Sequence, residues 1–135
     1  MMLSRVRNLW LAATALALTA CAGSPIKVAQ TVEQKAYATY GTFVIIEEQA
    51  GKLTSASTSL PPDVKRQIIA AAQKAQPAVD TMLVALSKAE SAKADFDAQK
   101  IDKSTFQVVI DNLGSWVQQA TPLVASLVAA VRGAH

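Results

Sequence analysis

Few side chains in this chain could do chemistry, and their positions limit it further. The one histidine is His135, the last residue, and the one cysteine is Cys21. Neither can join a Ser-His-Asp or Cys-His arrangement inside a core, so nucleophilic catalysis has no support. Clusters of His and Cys at metal-ligand spacing are missing for the same reason, and neither a metal nor a cofactor is expected. Asp95, Asp97, Gln99 and Asp102 alternate as the acids of a calcium loop do. An EF-hand starting at Asp95 would need Gly at its sixth position and Glu at its twelfth. Lys100 and Phe106 stand there, so the stretch reads as a polar interhelical loop with Asp102 as a helix N-cap. Glu47-Glu48 is the other acidic pair, and adjacent residues on a helix point about 100° apart. They do not share a proton, and a glycan-cleaving pair would need a second acid held opposite the first. Nothing in the sequence places one, although Glu47 and Asp111 are the acids such an enzyme would use. No catalytic residue is assigned, and the expected function is non-enzymatic.

The elements that carry these residues read as helices. The apolar pattern predicts an all-α fold, an antiparallel three-helix bundle with long, proline-kinked helices. Helices are expected over about 28–53, 61–97 and 102–132, in a bundle domain spanning 28–135. In the first, Val32, Ala36, Tyr40, Phe43, Glu47 and Ala50 recur at helical spacing, with Val28, Tyr37, Val44 and Ile45 broadening the stripe. Residues 41–46 are strand-like by propensity, but no second strand candidate can pair with them. A Ser- and Thr-rich linker ends in Pro61-Pro62, and either proline suits the first turn of the second helix. There Ile68, Ala72, Ala75, Val79, Met82, Leu86, Ala89, Ala92 and Phe96 step by four or three, the seam of a bundle. Asp102 should start the third helix. Phe106, Ile110, Leu113, Val117, Ala120, Val124, Leu127 and Val131 keep the alternation throughout, and Gly133 is a natural stop.

Two features of this pattern stand out. The second and third helices echo one another at an offset of about 45 residues, and both copies hold an internal proline, Pro77 and Pro122. A proline inside a helix removes one hydrogen bond, so each should kink its helix or split it in two. The stretch from Pro122 to Val131 is apolar nearly all round, and a helix of that kind should be buried on every side. A three-helix bundle leaves part of it uncovered. Leu123, Val124, Leu127, Val128 and Val131 are therefore the expected interaction face, for a protein partner, a second copy or the membrane surface.

The chain opens differently. Arg5 and Arg7 precede an uncharged run from Leu9 to Leu18, and small residues follow up to Cys21. That is the order of a secretory signal, and the run is too short to span a bilayer, which takes roughly 20 apolar residues. Leu18-Thr19-Ala20-Cys21 resembles the lipobox of bacterial lipoproteins. The resemblance covers only the leader. It implies cleavage before Cys21 by signal peptidase II, a signal peptide over 1–20, and lipid on the Cys21 thiol and on the freed amine. It also implies a bacterial envelope location. Two or three acyl chains hold a protein in a membrane effectively permanently. Ala22 stands where an Asp would favour the inner membrane, so the outer membrane, facing the periplasm, is the expected address. Residues 21–27 would form a lipidated tether, since Gly23, Ser24 and Pro25 resist helix.

The leader also changes the charge. Thirteen Lys and Arg stand against ten Asp and Glu. Without Arg5 and Arg7, eleven basic residues remain against the same ten acids, a nearly neutral and scattered balance. Nucleic-acid binding is therefore not expected. With Cys21 lipidated no disulfide can form, and packing alone must hold the domain. The expected function is a membrane-anchored scaffold or protein-interaction module, with self-association through helix faces as one form of it. A carrier or sensor of a small apolar ligand is the alternative, and a cell-envelope hydrolase the third reading.

Overall fold

The computed structural model describes residues 25–56 and 58–134. Three helices account for almost all of them: α1 (Pro25–Thr54), α2 (Pro62–Asp97) and α3 (Lys103–Gly133). Among the described residues there is no strand, and 41–46 lie within α1. The strand-like residues are helical because α1 has two helices to pack against and no sheet to join. The all-α three-helix bundle is thus the fold.

Consecutive helices run antiparallel, which makes α1 and α3 parallel. Two contacts fix this. The Thr39 and Thr121 hydroxyls hydrogen-bond at 3.1 Å across 82 residues of sequence. At the same separation, Val32 Cγ1 lies 4.0 Å from where a Cβ on Gly114 would stand. Equal offsets along both chains are possible only for parallel helices. Gly114 therefore sits at an α1–α3 approach with just enough room for a methyl group.

The core is built on α3. Phe106, Ile110, Leu113, Val117, Ala120, Val124, Leu127 and Val131 are all buried, as their alternation predicts. On α2 the buried seam is Ile68, Ala75, Val79, Met82, Leu86, Ala89 and Ala92, joined by Ala78 and Ala85. Ala72 and Phe96 are half-buried at its edge. Near its end the seam takes Ala92, and Lys93 is only half-buried.

Both prolines lie inside unbroken helices, Pro77 in α2 and Pro122 in α3. Neither splits its helix. Each is exposed, so the carbonyl that loses its partner faces solvent. A hydroxyl four residues on donates back to each proline carbonyl, from Thr81 at 2.9 Å and from Ser126 at 3.0 Å. The echo between the helices thus includes its hydroxyls as well as its prolines.

The first helix differs from the expected one at both its start and its stripe. It begins at Pro25, so the tether read over 21–27 loses its last three residues to α1. The reason is local: proline is at ease in the first turn, where its missing N–H would have no partner. Ala29, Ala36, Phe43 and Ala50 form the buried line, each seven residues apart. Its alternate members are Thr39 and Ile46, where Tyr40 and Glu47 were expected. One residue along a helix is a turn of about 100°. Tyr37, Tyr40, Val44 and Ile45 therefore face outward, Ile45 with 61% of its surface exposed.

The α2–α3 connection is tightly specified. Lys100 N–H donates to the Asp95 carbonyl at 2.8 Å and Gln99 N–H to the Phe96 carbonyl at 3.0 Å, which is a Schellman stop. Gln99 sits at φ 58°, the left-handed region that favours glycine. Asp102 then caps α3, its Oδ1 accepting the Thr105 N–H at 2.7 Å. Phe96 and Phe106 stack across the turn with centroids 4.8 Å apart. The acids singled out as a possible calcium loop are the stop and start of two helices. At the other connection, Lys65 Nζ donates to the Ser55 and Thr58 carbonyls at 2.9 and 3.0 Å. Lys65 thus ties the α1–α2 linker to α2.

Two outcomes follow from the turn. A left-handed backbone costs a non-glycine residue about 1–2 kcal/mol, and glycine gives back part of that in unfolded-chain entropy. Gln99→Gly is therefore expected to raise stability by roughly 0.5–1 kcal/mol in denaturant titration. The Thr105 backbone N–H, and then its hydroxyl, hold the Asp102 carboxyl below the usual aspartate range. A depressed folded-state pKa stabilises above the unfolded value, and that stability is lost as the pH falls through the folded value. Asp102→Ala should lower the melting temperature at neutral pH, and the gap should narrow in acid. A gap independent of pH would contradict the cap's ionic character.

Candidate functional site

Cys21, the proposed lipid attachment point, lies outside the described residues, as do the leader over 1–20 and His135. The remaining candidates are surfaces. Among the described residues no group of three or more His, Cys, Asp or Glu side chains converges on one point. No helix among them is long and apolar enough to cross a membrane. Glu48 pairs with Lys52 at 3.0 Å on the exposed side of α1. Asp111, on α3, accepts from Gln107 Nε2 at 2.8 Å, and Glu47 is exposed on α1.

The expected interaction face on α3 divides. Val124, Leu127 and Val131 are inside the bundle's own core, while Leu123 and Val128 are half-buried at its edge. The residues left outside in this stretch are Pro122, Ala125, Ser126 and Ala129. None is a large apolar side chain, so α3 has little hydrophobic surface uncovered there. The stretch reads as apolar all round because alanine counts as apolar, yet an exposed alanine loses little contact with water-excluding neighbours.

Beside it runs an open groove of about 600 Å³ between α1 and α3, lined by Ala38, Thr42, Val124, Ala125, Val128 and Ala129 among others. A second of about 510 Å³ continues it past Lys35, Gln118 and Pro122. Small side chains on both helices open these clefts, and the Thr39–Thr121 pair lies along both. They are furrows on the surface and not enclosed cavities.

Large uncovered side chains stand singly on α2 and α3, at Ile69, Val84 and Val108, and as a group on α1. Tyr37 is 51% exposed and Ile45 61%, with Val44 and Tyr40 nearby on the same helix. Gly41 lies among them, and a Cβ there would meet nothing within 4 Å. A glycine inside a helix costs about 1 kcal/mol relative to alanine, and nothing within the bundle requires it at this position.

Sequence reasoning missed one group. Glu33 is 9% exposed, and its Oε1 is buried without a hydrogen-bond partner among the described residues. The expected stripe passed through its neighbour Val32, which hid it. One turn on, the Tyr37 hydroxyl donates to Glu90 Oε1 on α2. That bond, then desolvation and the charges of Glu90 and Glu33, push the Tyr37 phenol above its usual pKa. A carboxylate, a phenol and a second carboxylate thus gather along the α1–α2 contact, and the signal for it was the i, i+4 spacing of Glu33 and Tyr37.

No family model, curated protein or solved structure matches this chain. An unsatisfied buried acceptor costs about 1–3 kcal/mol. Glu33→Leu is therefore expected to stabilise the bundle by that order, read by chemical unfolding. A loss of stability instead would show that the Glu33 carboxylate is satisfied by something the chain does not supply.

Proposed function

We propose that this chain is a lipid-anchored bacterial envelope protein that catalyses no reaction and serves as a scaffold or protein-interaction module. The observation that carries this reading is the order of the N-terminal residues. Two arginines, an uncharged run and Leu18-Thr19-Ala20-Cys21 stand immediately before a helical bundle. Cys21 lies four residues ahead of Pro25, where α1 starts. At about 3.3–3.6 Å per extended residue, so short a tether keeps the start of α1 within roughly 14 Å of the anchored cysteine. The α2–α3 turn shares that end of the bundle, because α1 and α3 are parallel.

With Ala22 after the cysteine, the outer membrane is the favoured location, and the bundle would face the periplasm. A nearly neutral charge leaves lipid as the membrane attachment, without help from a basic patch. A ligand carrier needs an enclosed apolar site. Open furrows lined by small residues do not supply one, so the interaction reading is preferred.

Metabolic labelling with a palmitate analogue tests it. The label should appear on the wild-type chain and vanish in Cys21→Ser, which should also leave the membrane fraction. Blocking signal peptidase II should accumulate the uncleaved form. Equal labelling of wild type and variant, or release of both into the soluble fraction, would contradict the anchor. Crosslinking in cells followed by mass spectrometry then tests the scaffold, whose protein contacts should weaken with Cys21→Ser.

A further inference from the structure

We propose that the outward face of α1 is a homodimer interface, in which the helix pairs antiparallel with α1 of a second copy about a twofold axis at Gly41. This deepens the interaction-module reading and rests on it, naming a second copy as the partner, but it does not depend on lipid at Cys21.

Successive residues turn about 100° around a helix. Gln34, Tyr37, Ala38, Val44, Ile45 and Glu48 therefore fall within about 60° of Gly41, on the side of α1 opposite Ala36, Phe43 and Ala50. From Gln34 to Ile45 this face carries no charge, and Tyr37, Val44 and Ile45 are exposed. Gly41 stands at its centre in open space. The bundle gives no reason for a helix-weakening residue there, whereas a second backbone approaching closely does.

The two flanks of the face differ. Ala38 and Ile45 lie towards α3, where Ala38 lines both clefts of the α1–α3 groove. Tyr37 and Val44 lie towards α2, where Tyr37 meets Glu90. A twofold axis perpendicular to the paired helices brings like flanks together. Ile45 then sits over the partner's Ala38, a large side chain at the mouth of a groove floored by small ones. Val44 sits against the partner's Tyr37.

Charge selects the direction. In a parallel pair Glu48 would face the partner's Glu48, and Lys52 the partner's Lys52. In the antiparallel pair Glu48 comes level with the partner's Gln34, and Lys52 with the partner's Gln30. Amides take both charges without like-charge contact, and the helix dipoles oppose one another. The pairing puts the two Cys21 residues at opposite ends of the joined helices. With both anchors in one leaflet the dimer lies along the membrane, and anchoring raises the effective concentration of each copy for the other.

Cysteine crosslinking of the full chain in cells tests this, with the wild type as the baseline for Cys21. Gly41→Cys should give a disulfide-linked dimer, since Cα atoms about 4.4–6.8 Å apart can be bridged. Ala38→Cys and Ile45→Cys should each stay monomeric alone and link to one another when co-expressed. Gly41→Leu, whose Cβ meets nothing within 4 Å in the monomer, should keep or raise the melting temperature while weakening dimerisation about tenfold or more. Self-linking of Ala38→Cys or Ile45→Cys, or dimerisation unaffected by Gly41→Leu, would overturn the proposal. If Cys21 is lipidated and the chain crosslinks to another protein while Gly41→Cys gives no dimer, the dimer falls and the anchored scaffold stands.

Discussion

The structure depends on one continuous seam along α3. Its eight members, from Phe106 to Val131, are buried over about seven turns, and both other helices close over them. Among the described residues no metal cluster shares the task, so the helices are held by packing. The α2–α3 turn sets the register of that packing. A Schellman stop, an aspartate cap and the Phe96–Phe106 stack leave α2 little freedom to slide along α3. The parallel helix α1 is then pinned by the Thr39–Thr121 bond and by the close approach at Gly114.

This arrangement has a consequence for α1. Its residues from Tyr40 to Ile46 are apolar or small around most of the helix, but the seam can cover only one side. Phe43 and Ile46 enter the core, while Tyr40, Val44 and Ile45 remain outside. Glu33 is drawn in because Ala29 and Ala36, on either side of it, bring α1 close to its neighbours. The outward face is thus a by-product of the seam's width as well as a surface available for contact. Anchoring through Cys21 would hold that face near a membrane, where weak contacts between copies count for more.

Legibility differed between helices for a physical reason. In α3 and most of α2 the large apolar residues keep one long four-three alternation, which marks the buried line even where a second apolar residue adjoins it, as at Ile69 and Val109. In α1 a run of consecutive apolar residues permits two stripes a single residue apart, and only the partner helices decide between them. Thr39 looked polar and Glu33 charged, and neither resembles a core residue in the sequence, yet both are buried. The end of α3 was over-read in the opposite sense, because Ala125 and Ala129 count as apolar without needing burial. Pro25 carried a readable signal as a first-turn proline, although Gly23 and Ser24 beside it made it look like tether.

The division between a covered seam and an uncovered face of α1 has one direct readout, hydrogen exchange of the full chain at rising protein concentration. Amides of α2 and α3 along the seam should exchange most slowly even at low concentration. Amides around Gly41, from Gln34 to Glu48, should gain protection as concentration rises. Protection that stays constant around Gly41 as concentration rises would contradict a free face on α1 that pairs with a second copy.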